Sequence, residues 1–183
     1  MQGLKPSLKA FNWGQQHGVR EGFSVTISKM NIIYCASKLN MNHIMTLDIT
    51  KAFVKVDRHL LKKIINQKSN TANSILSNIL NLYEFINLQI DDTIIQPSIG
   101  ILKGSVFGPL LFLLYINQVL EKLQVTLQNI NMQAFADYII IIARTKEELQ
   151  KVLDKIHQEI KNLNLALNFK ICEYISNIKF IRT

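Results

Sequence analysis

Two acids stand out because of what surrounds them. Asp48 closes the short apolar run His43–Ile49, and Asp137 sits between the apolar halves of Gln133–Ala143. A buried carboxylate without a partner is costly. Two of them at strand ends of one sheet can meet and share divalent cations. The same placement also suits a turn or cap residue on a solvated edge, so the residues alone leave both readings open. Other chemistry finds little support. His17, His43, His59 and His157 show no ligand spacing with Cys35 and Cys172, and no phosphate-binding loop, nucleophile elbow or zinc-finger pattern occurs. Asp91-Asp92 reads most simply as a hairpin turn.

Those acids need strands to hold them and helices to cover the strands. Residues 25–40 read as a helix with Ile27, Met30, Ile33 and Tyr34 near one face. His43–Ile49 reads as a buried strand. Asp57 can cap a helix whose apolar face is Leu60, Leu61, Ile64 and Ile65, and a second helix starts near Thr71. Gln89–Ile101 reads as a hairpin. Pro109 stands early in a helix to about Leu123 that is apolar nearly all round, which predicts burial. Gln133–Ala143 reads as a tight hairpin with Ala136-Asp137 near its tip. Thr145 and Glu148 form a capping box for a helix with the stripe Leu149, Val152, Leu153, Ile156, Ile160 and Leu163. A last strand pair is expected in Ala166–Ile181. This order predicts an α+β fold, with helices on one side of a mainly antiparallel sheet.

The chain has 183 residues, one domain or a piece of a larger one. With 48% hydrophobic and 19% charged residues it can bury a core and is neither disordered nor collagenous. A formal charge of +8 suits a polyanionic partner, nucleic acid first, although surface lysines also serve solubility. Two cysteines make neither a disulfide scaffold nor a zinc site, and the expected compartment is reducing and intracellular. The start Met1-Gln-Gly-Leu-Lys5 lacks a signal peptide's apolar run. The longest apolar runs, Pro109–Ile116 and Tyr138–Ala143, fall short of the roughly 18 residues that span a bilayer.

The local sequences add to this reading. Leu47-Asp-Ile-Thr-Lys-Ala-Phe53 resembles the first palm motif of reverse transcriptases, with an acid and an aromatic five residues apart. Gly100 to Asn117, through Lys103-Gly-Ser-Val-Phe-Gly-Pro109, resembles the next motif in the form found in non-LTR retrotransposons of the jockey and chicken-repeat type. Ala134-Phe-Ala-Asp-Tyr138 is similar to the hairpin carrying the other catalytic acids. Gln16-His-Gly-Val-Arg-Glu-Gly-Phe-Ser24 resembles the fingers motif, Leu165–Lys170 the lysine motif after the amphipathic helix, and Ile178–Ile181 the start of the primer grip. The matches run in family order from about Gln16 to Phe180.

The resemblance implies the fingers and palm of a right-hand polymerase, without the thumb. Residues 1–183 would form a single partial domain, with fingers at about 1–42 and 58–100 and palm at about 43–57 and 101–183. It implies an RNA-directed DNA polymerase with RNA template, DNA primer and deoxynucleoside triphosphates as partners, in nucleus or cytoplasm and without a membrane. Asp48 and Asp137 would hold Mg²⁺ in a two-metal site, and Lys170 would donate a proton to pyrophosphate. Phe53 would exclude a 2′-hydroxyl, and Arg20, Lys103 and Gly104 would line the nucleotide. Read alone, Phe53 is a core residue, Lys170 a surface lysine and Arg20 a loop cation. The departures carry equal weight. Tyr138 stands where the family hairpin has a second acid, Lys103 where it usually has Gln, and Val54 and Gln118 where acids are common. An impaired catalyst is one reading, and a catalytically dead nucleic-acid-binding descendant is the other.

Overall fold

The computed structural model describes residues 30, 32–35, 37, 41–68, 72–102, 104–126 and 130–176. Its elements are β1 (His43–Asp48), a 3₁₀ turn (Phe53–Lys55), α1 (Arg58–Lys68), α2 (Ala72–Glu84), β2 (Leu88–Ile90), β3 (Thr93–Ile95), α3 (Gly108–Thr126), β4 (Asn131–Phe135), β5 (Tyr138–Ala143), α4 (Lys146–Asn162) and β6 (Glu173–Ser176). No helix among the described residues is long and apolar enough to cross a membrane. The chain divides into two compact units. Of the described residues, those between Lys51 and Tyr115 form one unit, and those up to Thr50 or from Ile116 onward form the other. This division follows packing, whereas the fingers and palm bounds above follow motifs.

In the first unit, α1 and α2 bury Leu61, Ile64 and Ile65 with Leu76, Ile79, Leu80 and Tyr83. Asp57 caps α1, its Oδ1 accepting from the Leu60 N–H at 2.9 Å. Arg58 clamps the far end of the unit. Its guanidinium donates to the carbonyls of Gly100 (2.7 Å), Pro97 (2.7 Å) and Tyr83 (3.0 Å) and lies over the Tyr83 ring. Burial holds its pKa below the ordinary arginine value. The Gly100 N–H donates to Val56 O and the Ile101 N–H to Phe53 O. That close approach requires glycine: Gly100 has φ +86°, and an added Cβ would lie 2.7 Å from the Val54 carbonyl oxygen. The β2–β3 hairpin turns at Asp91-Asp92 and is exposed along both strands.

The second unit is built on a four-stranded antiparallel sheet in the order β4-β5-β1-β6. Side chains alternate across a strand, so register fixes which residues share a face. Leu47, Ile139, Ile141 and Ala143 form one face and are fully buried. Helix α4 packs against β5 and β1, burying Leu149, Val152, Ile156 and Ile160. Its capping box is present: the Glu148 N–H donates to Thr145 Oγ1 and the Thr145 N–H to the Glu148 carboxylate. The opposite face holds Ile44, Thr46 and Asp48 beside Ile142, Ile140 and Tyr138. Its Ile44 end is covered by Cys35 and Met41, with Ile32 against them.

Met30, Ile33 and Tyr34 share one face of their helical turn, as expected, but that face is exposed and Cys35 is buried instead. Ile32 and Cys35 are three residues apart and share the inward side of the helical turn, which sends the others outward. Ile27 lies outside the described residues. The strand pair expected in Ala166–Ile181 is not formed within its described residues, 166–176. Ala166–Asn168 bonds to Asp48–Thr50, and β6 pairs with β1.

Candidate active site

Asp48 is the last residue of β1, and Asp137 sits in the two-residue turn between β4 and β5. The turn is closed by the pair Phe135–Tyr138 and relies on Ala136 at φ 56°. A left-handed non-glycine residue costs roughly 1–2 kcal/mol, which the ladders on either side must offset. Register puts Tyr138 directly across from Asp48, so the turn delivers Asp137 beside the end of β1. The proximity is felt electrostatically. The Asp48 carboxyl is held above its ordinary pKa, first by burial and second by the charge of Asp137; a hydrogen bond from the Asn168 side chain pulls the other way.

Two facing carboxylates of this kind suit a hard divalent cation. A cation would relieve both the desolvation and the mutual repulsion, and Mg²⁺ typically takes one or two carboxylates and completes its shell with water and phosphate oxygens. Among the described residues no group of three or more His, Cys, Asp or Glu side chains could hold a metal ion. The place directly across from Asp48 is taken by the phenol of Tyr138, which is 37% exposed and shares its face with Phe135.

The remaining predicted residues fall as follows. Lys170 is exposed in the turn after Asn168. Phe53 and Gly104 belong to the other unit. Phe53 is half-buried and stacks on Phe112, with ring centroids 4.9 Å apart. Gly104 is exposed with φ +83°, and open space surrounds the position a Cβ would take. Arg20 and Lys103 lie outside the described residues. Three residues escaped the sequence reading: Asn168, Phe112 and Arg58. Asn168 had a signal, a lone amide between Leu167 and Phe169 in an otherwise apolar run. Phe112 was lost in the uniformly apolar stretch around it, and nothing local marks Arg58 as a clamp.

Residues 2–181 match the family model described as reverse transcriptase (RNA-dependent DNA polymerase). No curated protein matches the chain. Among solved structures it is similar to telomerase from Candida tropicalis in complex with a fragment of telomeric RNA, with a TM-score of 0.76 at 14% identity over 96% of this chain and 33% of that one. It is also similar to apo telomerase of that organism truncated from its C-terminal domain (TM-score 0.63, 13% identity, 98% of this chain, 40% of that one). Telomerase from Candida albicans with telomeric RNA gives a TM-score of 0.68 at 9% identity, over 97% of this chain and 35% of that one. The chain thus spans between a third and two fifths of these structures, and at such identity the likeness establishes the fold: fingers and palm elements around an antiparallel sheet.

Proposed function

Because the chain belongs to the reverse transcriptase family, we propose that it is the fingers-and-palm part of an RNA-directed DNA polymerase from a non-LTR retrotransposon, weakened at its centre by Tyr138. The observation that carries this reading is the meeting of Asp48 and Asp137 at one end of one sheet. These two would hold Mg²⁺, which when bound favours attack by the primer hydroxyl and neutralises the triphosphate. The partners would be an RNA template, a DNA primer and deoxynucleoside triphosphates.

The chain's own residues then have separate tasks. Asp48 and Asp137 supply fixed negative charge where a cation must sit. Phe53, backed by Phe112, presents an aromatic edge that would crowd a 2′-hydroxyl. Gly104 leaves room for a base or sugar to approach the backbone, with Lys103 and Arg20 as cations toward phosphate. Lys170 is free in solvent to hand a proton to the departing pyrophosphate. Tyr138 supplies no carboxylate, so the primer-side cation has fewer protein ligands. That observation favours a second reading, a descendant that binds nucleic acid without turnover.

Primer extension on an RNA template with Mg²⁺ and with Mn²⁺ tests the first reading, and binding to a primer–template duplex across a salt series tests both. Binding should weaken steeply with salt as counterions are released. No binding at low salt would remove both readings.

A further inference from the structure

The end of β1 is held by a segment that reaches it from α4 along a fixed route. At the end of α4 the Leu163 N–H donates to Ile160 O at 3.1 Å and the Asn164 N–H to Lys161 O at 2.9 Å. The Leu165 N–H then returns to Ile160 O at 3.1 Å, with Asn164 at φ 56°. One left-handed residue at a helix end is a common stop, and asparagine tolerates it. Leu165 and Leu167 then bury, Leu167 bridges Ile49, and the Thr50 N–H donates to Ala166 O at 2.8 Å. Asn168 thereby arrives opposite Asp48.

Asn168 bonds through its N–H, its carbonyl and its side chain. Its N–H donates to the Asp48 carbonyl at 2.8 Å. Its carbonyl accepts from the Ile171 N–H at 3.1 Å and the Cys172 thiol at 3.2 Å, which closes the turn bearing Lys170. Its side chain shares a face with that of Asp48, its cross-strand neighbour, and a hydrogen bond from it pulls the Asp48 carboxyl's pKa down. An ionised carboxylate only accepts, so the amide NH₂ is the donor. The backbone bonds would survive most substitutions, whereas the side-chain bond needs the amide. Asn168 approaches β1 from the edge opposite β5, so its amide leaves the β5 side of the Asp48 carboxylate to the Asp137 turn.

We propose that Asn168 is a positioning residue: its amide fixes the Asp48 carboxylate in the orientation that shares a divalent cation with Asp137, while its backbone ties the Lys170 turn to the same strand end. The inference rests on the two-carboxylate site proposed above. Outer partners of this kind typically contribute 10–100-fold to metal affinity.

The test uses the full chain and Mn²⁺ alone, with free ion counted by electron paramagnetic resonance near neutral pH. Asn168→Leu should bind Mn²⁺ about tenfold or more weakly than the unmodified chain. Phe169→Leu, in the same turn with its ring against His157, should bind as the unmodified chain does. Asp48→Asn should abolish binding. A second measurement needs no variant and stands even if Asn168→Leu fails to fold. In a nitrogen–proton correlation spectrum, substoichiometric Mn²⁺ should broaden the Asn168 side-chain amide as strongly as the Asp137 backbone amide. Unchanged affinity in folded Asn168→Leu, or a sharp Asn168 amide beside a broadened Asp137, overturns the role of Asn168 and leaves the site standing. Binding that survives Asp48→Asn overturns the site itself, and this inference with it.

Discussion

Replacing Tyr138 by Asp places a third carboxylate directly across from Asp48, and the consequences have opposite signs with and without a cation. Cross-strand partners stand about 5 Å apart. At an effective dielectric of about 20, two like charges at that distance repel by about 3 kcal/mol. Tyr138 is 37% exposed, so solvent screening reduces this to about 1 kcal/mol. In EDTA the Tyr138→Asp chain should melt about 2–4 °C below the unmodified one. Mn²⁺ at a concentration that saturates Tyr138→Asp but not the more weakly binding unmodified chain should reverse the order, since a ligand at a hundred times its dissociation constant adds about 2.7 kcal/mol to the folded state. Chemistry should follow the same sign. Missing electrostatic assistance at the primer hydroxyl typically costs several kcal/mol, and each 1.4 kcal/mol is roughly tenfold in rate. Primer extension by the unmodified chain should therefore lie orders of magnitude below that of Tyr138→Asp, both supplemented with a family thumb. Robust Mg²⁺-dependent synthesis by the Tyr138 form would refute the claim that this position disables the site. Melting of Tyr138→Asp that ignores the cation would refute the geometry behind it.

Arg58→Lys should destabilise the first unit by about 2–4 kcal/mol in urea unfolding, because an ammonium cannot serve three carbonyls held in a planar fork. Gly100→Ala should cost at least about 2 kcal/mol through left-handed strain and the clash with the Val54 carbonyl, and it should raise hydrogen exchange at Ile101, whose N–H bonds to Phe53 O. Burial pushes the Tyr115 phenol up to about 12, so the folded state keeps a proton that the unfolded chain releases near pH 10. Stability should then be intact below pH 10 and fall by about 2–3 kcal/mol as pH rises toward 12, and Tyr115→Phe should remove that slope in alkaline unfolding curves. The raised Asp48 carboxyl predicts stability that declines as pH rises through its folded value, since its ionised form is disfavoured by burial and by Asp137. Asp137→Asn should flatten that decline in melts taken across the acid range.

Sequence patterning alone determined those elements whose period and capping are local. The α4 stripe with its Thr145–Glu148 box, the Asp57 cap and the tight turn at Ala136-Asp137 were all legible as spacing. The two acids were legible as polar residues in apolar strands. Their neighbourhood was not, since strand pairing joins residues about ninety positions apart, and only the β1–β5 register puts Tyr138 across from Asp48. Tertiary structure also decided what a uniformly apolar run conceals, namely that Phe112 backs Phe53. It sent Ala166–Asn168 to the edge of β1 rather than into a hairpin of its own, because an exposed edge of unpaired backbone groups binds the nearest extended segment. Arg58 shows the limit most clearly. Its three carbonyl partners come from Tyr83, Pro97 and Gly100, and a charge whose partners are backbone oxygens leaves no trace in the identity of the residues that supply them.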